Sequence, residues 1–238
     1  MRAIARCITA FPLTIVILSC LCLASCTSYQ GGGSGQNVII DWVSFVRFGG
    51  VTYLEASPGR PLKEGDLGPV FATVKFKLDG HISDPGYQAR DGDAAFLDAG
   101  TQVYTVKGYQ PTFRLAAHGN NSILLFEADT NPHAKKGADL LDIAGKVQYI
   151  GINSEQDGTT ELAAIRDPKQ VAILVSIVLE APVDQNYRSS GNTRYFIAFH
   201  LLDGTGVTRA YWPDSGELSR GILLPKAFGN MIEQALRK

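Results

Sequence analysis

Arg194-Tyr195-Phe196-Ile197-Ala198-Phe199-His200-Leu201-Leu202-Asp203-Gly204-Thr205-Gly206-Val207-Thr208-Arg209-Ala210-Tyr211-Trp212 holds two runs rich in aromatic and β-branched residues, with Asp203-Gly204 between them. That punctuation predicts an antiparallel hairpin, Arg194–Leu202 against Val207–Trp212. Upstream, Asp167-Pro168-Lys169-Gln170 supplies an N-cap, a proline for the first helical position and a glutamine three residues on. Val171, Leu174, Val175 and Val178 then make one apolar stripe, and Pro182 ends the helix. Before it, Lys146–Ile152 and Thr159–Ile165 flank the polar turn 153–158 and read as another hairpin. After the Asp203-Gly204 hairpin a closing helix starts near Pro225, with Phe228, Met231, Ile232, Ala235 and Leu236 at helical spacing. The order ββαββα predicts an α+β layer, an antiparallel sheet with helices on one face.

The region 37–130 is read as β-rich. Val38–Val46 and Val51–Leu54 are joined by Gly49-Gly50, and further candidate strands are Val70–Leu78, Ala94–Leu97, Gln102–Lys107, Thr112–Ala116 and Ser122–Ala128. In Val70–Leu78, Phe71, Val74, Phe76 and Leu78 are expected to form the half-buried face. Many short strands between turn signals predict a sandwich or partly open barrel. Asn131-Pro132 is a helix-start signal with Gly145 as its stop, although Lys135 and Lys136 near the start and Asp139 and Asp142 near the end oppose the helix dipole. The expected domains are therefore 37–130, β-rich, and 131–238, α+β.

Ahead of these lies a targeting segment. Arg2 and Arg6 precede nineteen uncharged residues, Cys7–Ser25, and the run closes on Leu23-Ala24-Ser25-Cys26. A positive start, an apolar middle and small residues at a cleavage point are the marks of a secretory signal. The alternative is an uncleaved membrane-spanning helix, which needs about 20 apolar residues; Pro12 and the missing basic stop weaken it. The pattern resembles the signal peptide and lipobox of bacterial lipoproteins. That resemblance implies cleavage after Ser25 (removing 1–25), a diacylglyceryl thioether on Cys26, and Thr27 in place of the aspartate that retains lipoproteins at an inner membrane. Residues 26–36, glycine-rich, are expected to be a tether whose ends lie roughly 16–19 Å apart. Separately, Tyr195-Phe196-Ile197-Ala198-Phe199 followed by Asp203-Gly204 resembles modules of uncharacterised envelope proteins of Gram-positive bacteria, a resemblance that implies no activity.

Composition agrees with an extracytoplasmic address. All four cysteines, Cys7, Cys20, Cys22 and Cys26, fall in the first 26 residues, so the mature chain has no pair for a disulfide and no thiolates for structural zinc. Without 1–25 the chain keeps 20 basic and 23 acidic residues, a net charge of −3. That balance predicts neither nucleic acid nor a polybasic grip on anionic lipid.

Catalytic signatures are missing from the sequence: no Ser-x-x-Lys, no Gly-x-Ser-x-Gly, no His-Glu-x-x-His and no phosphate-cradling glycine loop. No cofactor and no metal site is expected. His81, His118, His133 and His200 are widely spaced, and read as ordinary histidines rather than ligands. Asp91-Gly92-Asp93 with Asp98 reads as a turn, against calcium binding or a catalytic carboxylate pair. One surface is a candidate patch for a ligand or partner: Phe196, Ala198 and His200 beside Val207, Arg209 and Tyr211. A two- or four-residue turn sets these side by side; a three-residue turn separates them.

The expectation is a lipid-anchored, non-catalytic binding, sensing or scaffolding protein of the envelope, held to the bilayer through Cys26 with an unidentified envelope protein or ligand as partner. The alternative is a carboxylate-dependent hydrolase of cell-wall material. Mass spectrometry of chain isolated from membranes should show the polypeptide beginning at Cys26 with added acyl mass, and Cys26→Ala should abolish that mass and leave the chain unprocessed.

Overall fold

Two sheets and two helices are built from the described residues, 41–187, 191 and 193–237, of the computed structural model. The signal segment, Cys26, the tether and the first three residues of the Val38–Val46 run lie outside them. The described residues form one compact unit.

The first sheet has eight strands: β1 (Phe45–Phe48), β2 (Val51–Ala56), β3 (Leu67–Thr73), β4 (Phe76–Lys77), β5 (Asp93–Ala94), β6 (Gln102–Val106), β7 (Arg114–His118) and β8 (Ile123–Thr130). Their order is β3-β6-β7-β8-β2-β1-β5-β4. The two border strands, β3 and β4, are consecutive in the chain, with only Val74 and Lys75 between them. Laid flat, eight strands would hold their borders roughly 33 Å apart. Three Cα steps span at most about 11 Å. The sheet therefore curls until its borders meet. At the seam Val74 N donates to Thr101 O (2.9 Å), beside β6, and Lys75 N donates to Gly92 O (2.8 Å), beside β5. The enclosed core takes Val46, Tyr53, Val74, Val103, Leu115 and Phe126. Of the face expected in Val70–Leu78, Val74 and Leu78 are buried, but Phe71 and Phe76 are exposed, because the chain bends between β3 and β4 and breaks the alternation.

The second sheet contains β9 (Val147–Asn153), β10 (Glu161–Ile165), β11 (Tyr195–Leu201), β12 (Gly206–Trp212), β13 (Glu217–Leu218) and β14 (Ile222–Leu223), in the order β10-β9-β11-β12-β13-β14, all antiparallel. Helix α1 (Pro168–Glu180) has Asp167 as its N-cap, whose carboxylate accepts from Gln170 N at 2.9 Å. Its buried residues are the expected Val171, Leu174, Val175 and Val178, joined by Leu179. Helix α2 (Lys226–Leu236) buries Phe228 and Ile232. Both helices pack into one core with Ile150, Ile152, Ile197 and Phe199. The molecule is thus mostly β-sheet with two helices, an α+β fold.

The helix expected from Asn131 is absent; only a single 3₁₀ turn, Gly137–Asp139, forms there. The reason is competition for the backbone. Gly137 N donates to Ala181 O and Val183 N to Lys135 O, both at 2.9 Å, so the segment pairs with the chain leaving α1 instead of with itself. The Asp139 carboxylate accepts from Lys135 N and Lys136 N at 2.8 and 3.0 Å, fixing a turn where a helix would need these amides to point along its axis.

This close approach needs a glycine. A Cβ on Gly137 would lie 1.9 Å from Val178 O, a backbone atom of α1. Gly137→Ala should destabilise the chain by about 2–3 kcal/mol in urea unfolding, whereas the exposed Ala144→Ser should stay within about 0.5 kcal/mol.

Candidate functional site

The loop between β11 and β12 places the residues singled out from sequence. It has three residues, Leu202-Asp203-Gly204, closed by Leu201 N donating to Thr205 O at 2.8 Å. Gly204 at φ 81° supplies the left-handed residue such a loop requires. The resulting register pairs His200 with Gly206, Ile197 with Arg209 and Tyr195 with Tyr211. His200 therefore lies on the face opposite to Arg209 and Tyr211, and the three do not form one patch.

Tyr211 is buried, 2% exposed, with its ring edge-on to Phe228 at 5.2 Å, and burial pushes its phenol up to about 12. It is a core residue. His200 stacks flat on Tyr149, centroids 4.0 Å apart, and the Arg166 guanidinium lies 4.0 Å from the same ring. Burial lowers the His200 pKa; Glu161 opposes that and Arg166 reinforces it. The carboxylates of the Asp91-Gly92-Asp93 group diverge. Asp91 accepts from Gly50 N, Asp93 from Tyr87 Oη and Arg90 N, and Asp98 pairs with Lys77. That is a turn.

Arg209 has a different setting. Its Nη1 donates to Glu127 Oε2 at 2.9 Å. The other oxygen, Oε1, accepts from Arg114 Nε and Nη2 at 3.1 and 2.7 Å. Arg114 is fully buried, and its remaining donors reach Thr205 Oγ1 (2.9 Å) and Gly206 O (2.7 Å) in the β11–β12 loop. Its guanidinium also lies 4.6 Å from the Tyr109 ring. A carboxylate between two guanidinium groups thus joins β7 and β8 of the first sheet to β12 of the second. Arg60 Nε adds a bond to Asp203 O at 2.7 Å, and Tyr109 Oη donates to Asp203 Oδ2 at 2.9 Å.

Two residues along β8, Asp129 pairs with Arg220. Arg220 is the non-glycine residue at positive φ, 81°, among those described. Burial lowers its pKa and Arg209 adds repulsion, while Asp129 pulls the other way. Asp129 and Arg220 form part of the wall of a cleft of about 520 Å³, together with Asn131, Gln185, Trp212 and Glu217. Glu217 is 5% exposed; its Oε1 accepts from Gly221 N at 3.1 Å, but its buried Oε2 has no hydrogen-bond partner. A larger groove of about 590 Å³ beside Val43 and Pro58 brings no such set of groups together.

What this arrangement can do follows from the unmet acceptor. Leaving a buried acceptor unpaired costs about 1–3 kcal/mol, more for a charged group. A small turn of the Glu217 side chain that brings Oε2 to the cleft surface lets a ligand N–H or O–H recover it, with Arg220 presenting donors and Trp212 an apolar face in the same cleft.

Of the sequence-stretch candidates, then, Arg209 belongs to a buried ionic cluster, Tyr211 to the core and His200 to the opposite face. Cys26 lies outside the described residues. The cluster had a signal in the sequence: Arg114 and Glu127 interrupt otherwise apolar strands, as buried charges do when they are paired. Asp129, Glu217 and Arg220 gave no comparable signal. Comparison with family models, with curated proteins and with solved structures finds no match for this chain.

Glu127→Ala should strand the buried Arg114 guanidinium and the partly buried one of Arg209, and cost about 3–5 kcal/mol in chemical denaturation. Replacing Arg114, Glu127 and Arg209 together by Met, Leu and Met should cost much less than that single change.

Proposed function

We propose that the chain is a membrane-anchored extracytoplasmic lipoprotein whose globular part binds a small polar ligand, or a polar group of an envelope partner, without catalysing a reaction. The observation that carries this reading is the 520 Å³ cleft with its buried, unpartnered Glu217 Oε2. Such an acceptor calls for an amine or hydroxyl donor from outside the chain. The anchor rests on Leu23-Ala24-Ser25-Cys26. No helix among the described residues is long and apolar enough to cross a membrane. Attachment through Cys26, with Thr27 after it, leads to an outer membrane in a host that has two. The finer ββαββα layer, with both helices on one face, is supported by the single core that α1 and α2 share.

A rival reading has one observation in its favour. Asp129 and Glu217 line the same cleft, and two facing carboxylates are what a glycan hydrolase employs. Binding is preferred because the Asp129 carboxylate is already engaged by Arg220.

Photocrosslinking in native cells tests the proposal. A photoreactive residue in place of Ser219, which lines the cleft, should capture an adduct that drops at least fivefold with Glu217→Gln or Arg220→Ala. Capture unchanged in both variants removes the cleft from consideration. Release of soluble fragments from cell-wall material, abolished by Glu217→Gln, would instead establish the hydrolase.

A further inference from the structure

On the face of the second sheet that carries His200, β9, β10 and β11 bring three donors over one glycine. The register sets Gly151 opposite Ala198, Tyr149 opposite His200, and Asn153 opposite both Phe196 and Glu161. The space a Cβ of Gly151 would take is surrounded by Glu161 Oε2 at 2.9 Å, Asn153 Oδ1 at 3.3 Å and His200 Nε2 at 3.3 Å. We propose that His200, Glu161 and Asn153 form a site for a divalent transition metal of the zinc type, above Gly151.

Each donor is held in place by a partner that leaves the relevant atom unused. Asn153 Nδ2 donates to Gly158 O at 2.9 Å, which fixes the amide so that Oδ1 turns to the Gly151 side. Asn153 is 8% exposed, and this buried Oδ1 has no hydrogen-bond partner. That is the observation independent of the cluster itself. Glu161 Oε1 is taken by Arg166 Nη2 at 3.3 Å, leaving Oε2 for the site. His200 is clamped flat against Tyr149. Gly151 contributes by having no side chain: a Cβ there would crowd all three donors, at 2.9, 3.3 and 3.3 Å.

The donor set selects the ion. One imidazole nitrogen with one carboxylate and one amide oxygen suits zinc and its neighbours better than calcium or magnesium, which take oxygens. Three protein ligands leave a coordination position for water or a ligand atom, the pattern of open zinc sites. Among the described residues no three of His, Cys, Asp and Glu converge on one point, and the third donor here is an amide. Because these residues come from three strands, no short motif announces them. The site lies apart from the Glu217 cleft and does not depend on it.

The test uses the untagged full chain in detergent micelles, stripped with chelator and dialysed against zinc chloride, with bound metal counted by elemental analysis. One zinc per chain is expected, with affinity at least tenfold weaker in His200→Ala and in Glu161→Gln. Cobalt substitution should give visible d–d absorption that both variants lose. Asn153→Asp, which adds a charge without changing shape, should bind more tightly. Wild-type chain that retains no zinc overturns the proposal, as does equal retention by His200→Ala and Glu161→Gln. Should His200→Ala fail to fold, Glu161→Gln decides alone, because Glu161 is an exposed side chain.

Discussion

Glu127 is the group on which the relation between the two sheets depends. One carboxylate accepts from Arg114 on its own sheet and from Arg209 on the other, with Thr205 and Gly206 taking the remaining donors of Arg114. Removing ions from water costs several kcal/mol each, and such clusters often contribute little net stability. Their geometry is demanding, however. An apolar contact tolerates a slide of one residue; a guanidinium bridging a carboxylate, a hydroxyl and a carbonyl does not. The cluster is therefore better understood as a device that fixes how β7 and β8 meet β12 than as a source of stability.

The β11–β12 loop is the second half of that device. Three residues between Leu201 and Thr205, and not two, set which side chains share a face. With this count Arg209 reaches Glu127, while His200 goes to the side that holds Asn153 and Glu161. The same loop is also what Arg60 and Tyr109 grasp through Asp203. A change of one in loop length would therefore turn Arg209 away from its carboxylate, while His200 would stay on the face where pairing with β9 holds it.

Much of the fold was legible wherever structure is local. The Gly49-Gly50 hairpin, the Asp167 cap with its valine and leucine stripe, and the hairpin around residues 153–158 all follow from neighbours in sequence. What escaped was set at long range. The helix expected at Asn131 had its cap and its proline, but the backbone of Lys135 and Gly137 found better partners beyond α1. Phe71 and Phe76 had the spacing of a half-buried strand, and the seam at Val74-Lys75 turned them outwards. For the sites, the paired charges Arg114 and Glu127 were marked by their apolar surroundings. Asn153, Glu161 and His200 meet only through the β9–β10 and β9–β11 registers, which no spacing along the chain encodes.

The position of β1 in the first sheet has a mechanical meaning. The first strand of the described residues is β1, and β1 is an interior strand, bordered by β2 on one side and β5 on the other. Amides on both borders hold it, Glu55 N to Ser44 O, Ala95 N to Phe45 O and Gly92 N to Arg47 O. A pull transmitted from the N-terminal side thus loads two rows of hydrogen bonds in shear, where a border strand would peel off one bond at a time. A globule tugged by whatever precedes it yields last at the strand where the pull arrives.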